Sequence, residues 1–447
     1  MSRARRRIHI LLLIVVFAAG IAYGMLAENR GLFPTSLTRS ALQSFRDAIG
    51  GQRSPVDARG RWRESRSDDA GELTEEQRAE MERLESIGYL TGSAPVQEGE
   101  SYGVTVHEES LAEQGLNLIV SGHGCRAALA EMDGSVVHEW QLDFESTYPP
   151  REIDEDANSD EYWRRVMLLD DGGILFVNEG LGVARLDRDS NLLWSIPGGF
   201  HHDMDVTYDG EFCVLYREAR VLPRVSRKHA VLEDFIAFVD DEGNLLRKIS
   251  ILEAFERSSY SAVLDHMERH GDFMHTNTIE VLDGSLADRS PAFRKGNLLI
   301  SVLRLNTIAV VDPETESVVW SLSGRWSQQH QPTVLPNGRM LLFNNNLEPG
   351  VSEVIEFDPF TQVVEWRVRG TDAFPFYSET CGSNQRLPNG NTLITESDNG
   401  RAFELTPEGA VVWEYVNPHR AGPEGQFVAT LFEVVRMPEA DRPGWLE

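Results

Sequence analysis

Three histidines hold nearly the same place in three successive stretches of this 447-residue sequence. His202, in HHDMDVTYDG, lies eight residues before Gly210, and His330, in HQPTVLPNG, lies eight before Gly338. His275, in HTNTIEVLDG, keeps that register before Gly284 to within one residue. Arg164 takes the place ahead of Gly172, and Gly382, followed by Ser383 and Asn384, takes it ahead of Gly390. Side chains that repeat in register converge when their elements are arranged around one axis. Converging imidazoles can act as nucleophiles or exchange protons near neutral pH. Arginine beside them offers paired donors to an oxyanion such as sulfate or phosphate. Three histidines can also hold zinc with an open position. Only Asp203, next to His202, offers a carboxylate to orient the rings, so no metal is expected. His201 reads as a supporting neighbour, and His123, in SGHGC, as a further residue able to reach the same axis from the first repeat.

The elements that would position these residues are themselves repeated. A phrase of glycine, apolar strand, acidic turn and a second apolar strand recurs from Gly115, Gly172, Gly210, Gly296, Gly338 and Gly390. Five of the copies end in tryptophan: Trp140, Trp194, Trp320, Trp366 and Trp413. Six copies at this spacing, each worth several antiparallel strands, predict an all-β fold, a six-bladed β-propeller. A single blade cannot bury both faces, so its neighbours must supply the core. The first strand of each blade would line the central channel, which is how the three histidines meet. Extra chain at 216–272, helical near Ile251–His270, and a polar loop at 284–295 are insertions in the repeat.

Charge and composition narrow the partners. Lys and Arg total 42 against 71 Asp and Glu, a net charge of −29. Nucleic acid is therefore excluded as an expected partner. Three cysteines, Cys125, Cys213 and Cys381, are too few and too scattered for a disulfide framework. Arg3, Arg5, Arg6 and Arg7 precede an uncharged apolar run from Ile8 to Leu26, long enough to cross a bilayer with its basic flank in the cytoplasm. The expected plan is a cytoplasmic N-terminus over 1–7 and an N-terminal transmembrane helix over 8–26. A polar linker follows over 27–109, with a short helix opened by the Thr74–Gln77 capping pattern and running to Leu90, and then a propeller over 110–447. The run reads as an uncleaved signal anchor, with a cleaved signal peptide as the alternative. A single-pass protein of the cell inner membrane, its bulk in the periplasm, is the expected location.

Taken in order, HHDMDV, MHTNTIEVL with LLISVLRLNTIAVVD, QHQPTVLPNGRMLLFNN and GSNQRLPNGNTLITES with GRAFELTPEGAVVWEY resemble the bacterial arylsulfotransferase family over about residues 113–435. The resemblance implies an exported six-bladed propeller that needs no nucleotide sulfate donor and no cofactor. It implies transfer of sulfate from an aryl sulfate ester to a phenolic acceptor through a sulfated histidine. The family's His-x-Asn motif falls on His275 and Asn277, which makes His275 the expected nucleophile, with His202 and His330 as its catalytic partners. The family's arginine is expected two residues after the strand serine, where Leu303 stands, and Arg304 follows by one. A one-residue shift turns a strand side chain to the other face. Either a local bulge returns Arg304 to the channel or this chain lacks that arginine. Arg164, Arg304, Asn277, His201 and His123 are thus the expected substrate-binding residues. A propeller that binds a protein or small ligand without catalysis is the competing reading, since fold alone does not fix function.

Overall fold

The computed structural model describes residues 102–149, 161–324, 326–421 and 427–446, all within one compact unit, Ala58–Glu447. The expected membrane span over 8–26 and the helix from Thr74 to Leu90 lie outside the described residues. Among the described residues no helix is long and apolar enough to cross a membrane.

Among the described residues six sheets of four or five mainly antiparallel strands form the blades of a propeller, and Arg420–Ala421 pairs with Phe427–Val428 as a separate two-stranded sheet. Blades two to six run in chain order, their inner strands being Arg165–Leu168, Phe200–Val206, Thr276–Val281, His330–Val334 and Ser383–Arg386. Blade one is built from both ends of the propeller: Leu431–Pro438 is its inner strand, paired with Gly115–Ser121, then Arg126–Ala130 and Val136–Gln141. This pairing closes the ring. Gly103–His107 adds a fifth, outer strand to blade six by pairing with Val411–Val416. The linker expected to reach residue 109 therefore ends earlier, because the short Val104 and Val106 alternation finds an open sheet edge.

Strand alternation explains where the core sits. Leu298 and Ile300 point into the cluster between blades three and four, while Leu299 points into the one between blades four and five. Six such apolar clusters fill the six blade interfaces. The tryptophans that mark the repeat tie neighbouring blades. The indole N–H of Trp140 donates to Gly172 O at 3.1 Å, Trp194 to Asp241 O at 2.8 Å, Trp366 to Pro407 O at 2.9 Å and Trp413 to Met132 O at 2.9 Å. Gly210 and Gly338, with φ of 83° and 79°, close the turns after two inner strands, a conformation that favours glycine. These turns fix the register from which the histidines were counted. The 216–272 insertion includes a helix, Ile251–Glu256, a 3-10 turn, Ser261–His266, and a short strand, Gly271–Asp272, that pairs in parallel with Val231–Val239. That last strand delivers Asp272 to the neighbourhood of His275.

Candidate functional site

His202, His275 and His330 come from the inner strands of blades three, four and five or from the residue just before one. All three line one cavity with Arg164, Arg304 and Phe432, about 740 Å³ including its open mouth. Tyr162, Glu179 and Cys381 complete much of its wall. The rings of His202 and His275 are 4.8 Å apart and nearly perpendicular, at 74°.

The backbone at this mouth is not regular strand. His202 and His275 adopt left-handed φ of 54° and 52°, and Gln331 and Cys381 follow with 42° and 53°. Sheet register slips beside these residues, between Val214 and Tyr216, between Thr276 and Thr278, and between His330 and Thr333. Each non-glycine residue held there costs about 1–3 kcal/mol, and such strain concentrates where side chains are aimed at a ligand.

Each ring is oriented by a different partner. His275 Nδ1 lies 2.6 Å from Asp272 Oδ2. His202 Nδ1 lies 2.9 Å from His201 Nδ1 and 3.4 Å from Glu179 Oε1. His330 Nδ1 donates to Asn345 Oδ1 at 2.7 Å and to Gln328 O at 3.1 Å. The Asn345 amide is itself fixed, because its Nδ2 donates to Ser378 O and Cys381 O. Burial drives the His330 pKa down to about 3, with Arg164 and His275 adding to the effect against the raising effect of its Asn345 hydrogen bond. Burial, His275 and Arg164 hold His202 well below the usual imidazole range. Both rings are therefore neutral at neutral pH.

These partners correct the expectation that Asp203 was the only orienting carboxylate. Asp203 faces the other way: it accepts from Arg165 Nε at 2.7 Å and from Ile279 N at 3.0 Å. Asp272 and Glu179 orient the rings instead. Among the described residues, Glu179, His201 and His202 are the one group whose ligand atoms lie close enough to share a cation, all within 4.8 Å. The two imidazole nitrogens bond each other, and the Arg217 guanidinium lies 3.4 Å from Glu179 Oε1, so these groups are engaged among themselves.

The remaining expected residues divide. Arg164 lines the cavity with its guanidinium 4.9 Å from the Phe432 ring centre, and Phe432 stacks on Tyr162 at 5.1 Å. Arg304 also lines the cavity, but neither by a strand bulge nor from a strand. The strand ends at Val302, and Leu303–Leu305 forms a 3-10 turn whose Leu303 and Arg304 N–H groups donate to His275 O and Met274 O. Asn277 lies beneath the cavity, where its Nδ2 donates to Gln329 O at 2.9 Å. His201 stands behind His202. His123 is not among the lining residues; it stacks on His419 with ring centres 3.3 Å apart. The inner strand of blade one is Leu431–Pro438, and from it Phe432 reaches the cavity. Asp272, three residues before His275, was within reach of sequence inspection. Glu179 sits inside the Gly172 phrase, at a place where the other phrases have no carboxylate, while Tyr162 and Phe432 lie outside the phrases, so none of the three carried such a signal.

Comparison with solved structures returns a protein of unknown function from Bacteroides caccae, 17% identical, covering 67% of this chain and 93% of that one with a TM-score of 0.46. It also returns a catalytically inactive H270A virginiamycin B lyase from Staphylococcus aureus with quinupristin (10% identity, 73% and 87% coverage, TM-score 0.40) and the WD40 β-propeller domain of Doa1 (14%, 78% and 96%, 0.40). None of the curated proteins compared with the chain matches it. The family model described as arylsulfotransferase (ASST) matches residues 165–418, more than half of the chain and five of its six blades, so the chain belongs to the arylsulfotransferase family.

Proposed function

We propose that this protein moves a sulfuryl group from an aryl sulfate ester to a phenol through a histidine of the cavity. The observation that carries the reading is the fixed tautomer of His330. With Nδ1 donating to two acceptors, its lone pair lies on Nε2, and burial keeps the ring neutral. That is the state an imidazole nucleophile requires. His275, backed by the Asp272 carboxylate, is suited to hold and return a proton. This division moves the nucleophile from His275, where the family motif put it, to His330.

In the first half-reaction His330 Nε2 attacks sulfur, the S–O bond to the donor breaks, and the departing phenolate takes a proton from His275. In the second, the acceptor phenol returns a proton to the same group, its oxygen attacks sulfur, and the N–S bond breaks with its electron pair going back to Nε2. Protons balance over the cycle. Arg164 and Arg304 supply positive charge to the sulfuryl oxygens. Tyr162 and Phe432 offer an apolar wall to the aryl ring. The arginine-flanked apolar run over 8–26 supports an exported, membrane-anchored enzyme.

Incubation with a chromogenic aryl sulfate alone, followed by peptide mapping, tests the assignment. One sulfuryl group on the peptide containing His330 is expected, and His330→Gln lowers turnover at least about a thousandfold. Modification of the His275 peptide returns the nucleophile to His275. Absence of transfer to any phenol in the presence of donor replaces the enzyme with a ligand-binding propeller.

A further inference from the structure

Below the histidine cavity the axial channel is crossed by a polar layer to which all six blades contribute. Its members are Glu433, Arg165, Asp203, Thr278, Gln331 and Asn384, one from each inner strand in ring order. Arg165 pairs with Asp203 through Nε at 2.7 Å and with Glu433 Oε1 through Nη1. Gln331 Nε2 donates to the same Glu433 oxygen at 3.3 Å, from blade five to blade one. The Gln331 backbone is held on both sides: its N–H donates to Thr278 Oγ1 at 3.0 Å and its carbonyl accepts from Asn384 Nδ2 at 3.1 Å. That hold keeps a non-glycine residue at φ 42°, beside the register slip between His330 and Thr333. Above the layer lies a small polar cavity, about 290 Å³, which shares His202 and His330 with the mouth. Below it lies the far vestibule, about 1330 Å³ including its open end. Arg165, Asp203, Thr278 and Gln331 line both.

We propose that this layer, with Gln331 as its plug, seals the rear of the histidine cavity and so directs the sulfuryl group to a phenol rather than to water. The inference rests on the proposed sulfuryl transfer. A sulfated histidine reacts with whichever oxygen nucleophile reaches its sulfur, and water outnumbers any phenol. Excluding water from a reactive intermediate is one purpose of a closed site. Water that enters by the mouth is displaced when the acceptor binds. Water that entered from the far vestibule would lie beneath the bound acceptor and would stay. His330 lines both the mouth and the cavity beneath it, so a sulfuryl group on it is open to attack from either. In such a leak the water oxygen attacks sulfur, and the N–S bond breaks with its electron pair returning to Nε2. Hydrogen sulfate leaves, and the second proton of the water passes to solvent. Arg165, Asp203 and Glu433 hold one another by charge, whereas the Gln331 side chain joins them by a single neutral hydrogen bond. Gln331 is therefore the member that can be removed without leaving a buried ion unpaired. It lines the two cavities on either side of the layer and not the mouth, which makes it a sealing residue and not a catalytic one.

In full-length protein the seal is read from the partition of products at saturating phenol. Sulfated phenol and inorganic sulfate are counted against the chromophore released from nitrophenyl sulfate. Wild type should give almost no sulfate there. Gln331→Ala should raise the sulfate fraction at least about tenfold, while chromophore release changes by less than about twofold. Adding more phenol should not suppress that sulfate. Gln331→Met fills the layer without the amide and should leak far less than Gln331→Ala. A leak in Gln331→Ala that phenol suppresses, no leak at all, or equal leakage from the two variants overturns the seal. Wild-type sulfate that survives saturating phenol also overturns it. A readout without turnover is the titration of the His330 imidazole C–H resonances. Water admitted beneath the ring in Gln331→Ala should move the midpoint upward from about 3, with Asn345, Gln328, Arg164 and His275 still facing the ring. An unmoved midpoint overturns the seal as well. Wild-type protein that yields neither sulfated phenol nor sulfate refutes the sulfotransferase reading, while the titration still decides whether the layer keeps water out.

Discussion

Arg164 and Arg165 are neighbours in sequence and belong to opposite ends of one channel. Arg164 faces the histidine mouth over Phe432. Arg165 faces the far end, where it pairs with Asp203 at 2.7 Å and with Glu433. The same inner strands line both ends, yet their polar groups are used differently. At the far end each carboxylate is consumed in joining blades: Asp203 accepts from Ile279 N at 3.0 Å, Asp205 from Val281 N at 2.6 Å and Glu280 from Val334 N at 3.2 Å. At the mouth the left-handed residues His202 and His275 break this stitching and turn side chains toward an open cavity. A propeller therefore makes a site where its inner strands depart from regular pairing, and makes a hub where they do not.

The comparison predicts opposite failures for the two arginines. Arg164→Gln should lower kcat by roughly a hundredfold or more, the scale of losing one charged donor to the transferring group, with the melting temperature unchanged. Arg165→Gln should leave Asp203 and Glu433 buried without their cation, a loss of about 3–5 kcal/mol in stability. Denaturant unfolding beside steady-state kinetics separates the two. If both variants fail in stability and neither in kcat, the mouth is not a site.

Much of this arrangement could be read from the sequence, because the repeat is a physical period. A glycine turn, an alternating strand and an outer tryptophan recur since each blade must meet the same two neighbours. Counting back from the turn glycine located His202, His275 and His330 at one mouth. Three things escaped that count. The circular closure gives blade one an inner strand from the C-terminal region, so Phe432 holds a channel place. The apolar run LLISVLRLNTIAVV reads as one strand, yet Asn306 at φ 48° and the 3-10 turn before it split the run and lift Arg304 to the rim. Glu179 reaches His202 across 23 residues and between blades, a contact with no period to reveal it.

A smaller effect concerns acid. The His330 pKa falls from 6.5 free to about 3 in the fold, chiefly through burial. A depressed imidazole stabilises the folded state above the unfolded value and loses that stability as pH falls toward the folded one. Between pH 7 and pH 5 the contribution lost is about 2 kcal/mol. His330→Gln, which has no proton to gain, should unfold less steeply over that interval than the wild type. Parallel unfolding curves for the two proteins across this range would mean that the mouth is not desolvated.

The smallest effect belongs to the far end and runs in the opposite direction. Burial and the negative charge of Asp205, Asp283 and Asp203 raise the Glu280 carboxyl well above its free value of 4.5, against the lowering effect of the Val334 N–H. A carboxyl raised in the fold contributes stability below its unfolded value, and that contribution disappears as pH rises through the folded one. Glu280→Gln keeps an oxygen for Val334 N and turns an amide N–H toward the anionic neighbours, and it has no proton to lose. The variant should match the wild type near pH 4 and melt about 1–3 °C higher near pH 8. Sulfuryl transfer should be unchanged at both, since Glu280 lines the far end of the channel and not the histidine cavity. A variant that melts lower at pH 8, or that loses transfer, would mean the far end is not merely a hub and that its carboxylates also serve the mouth.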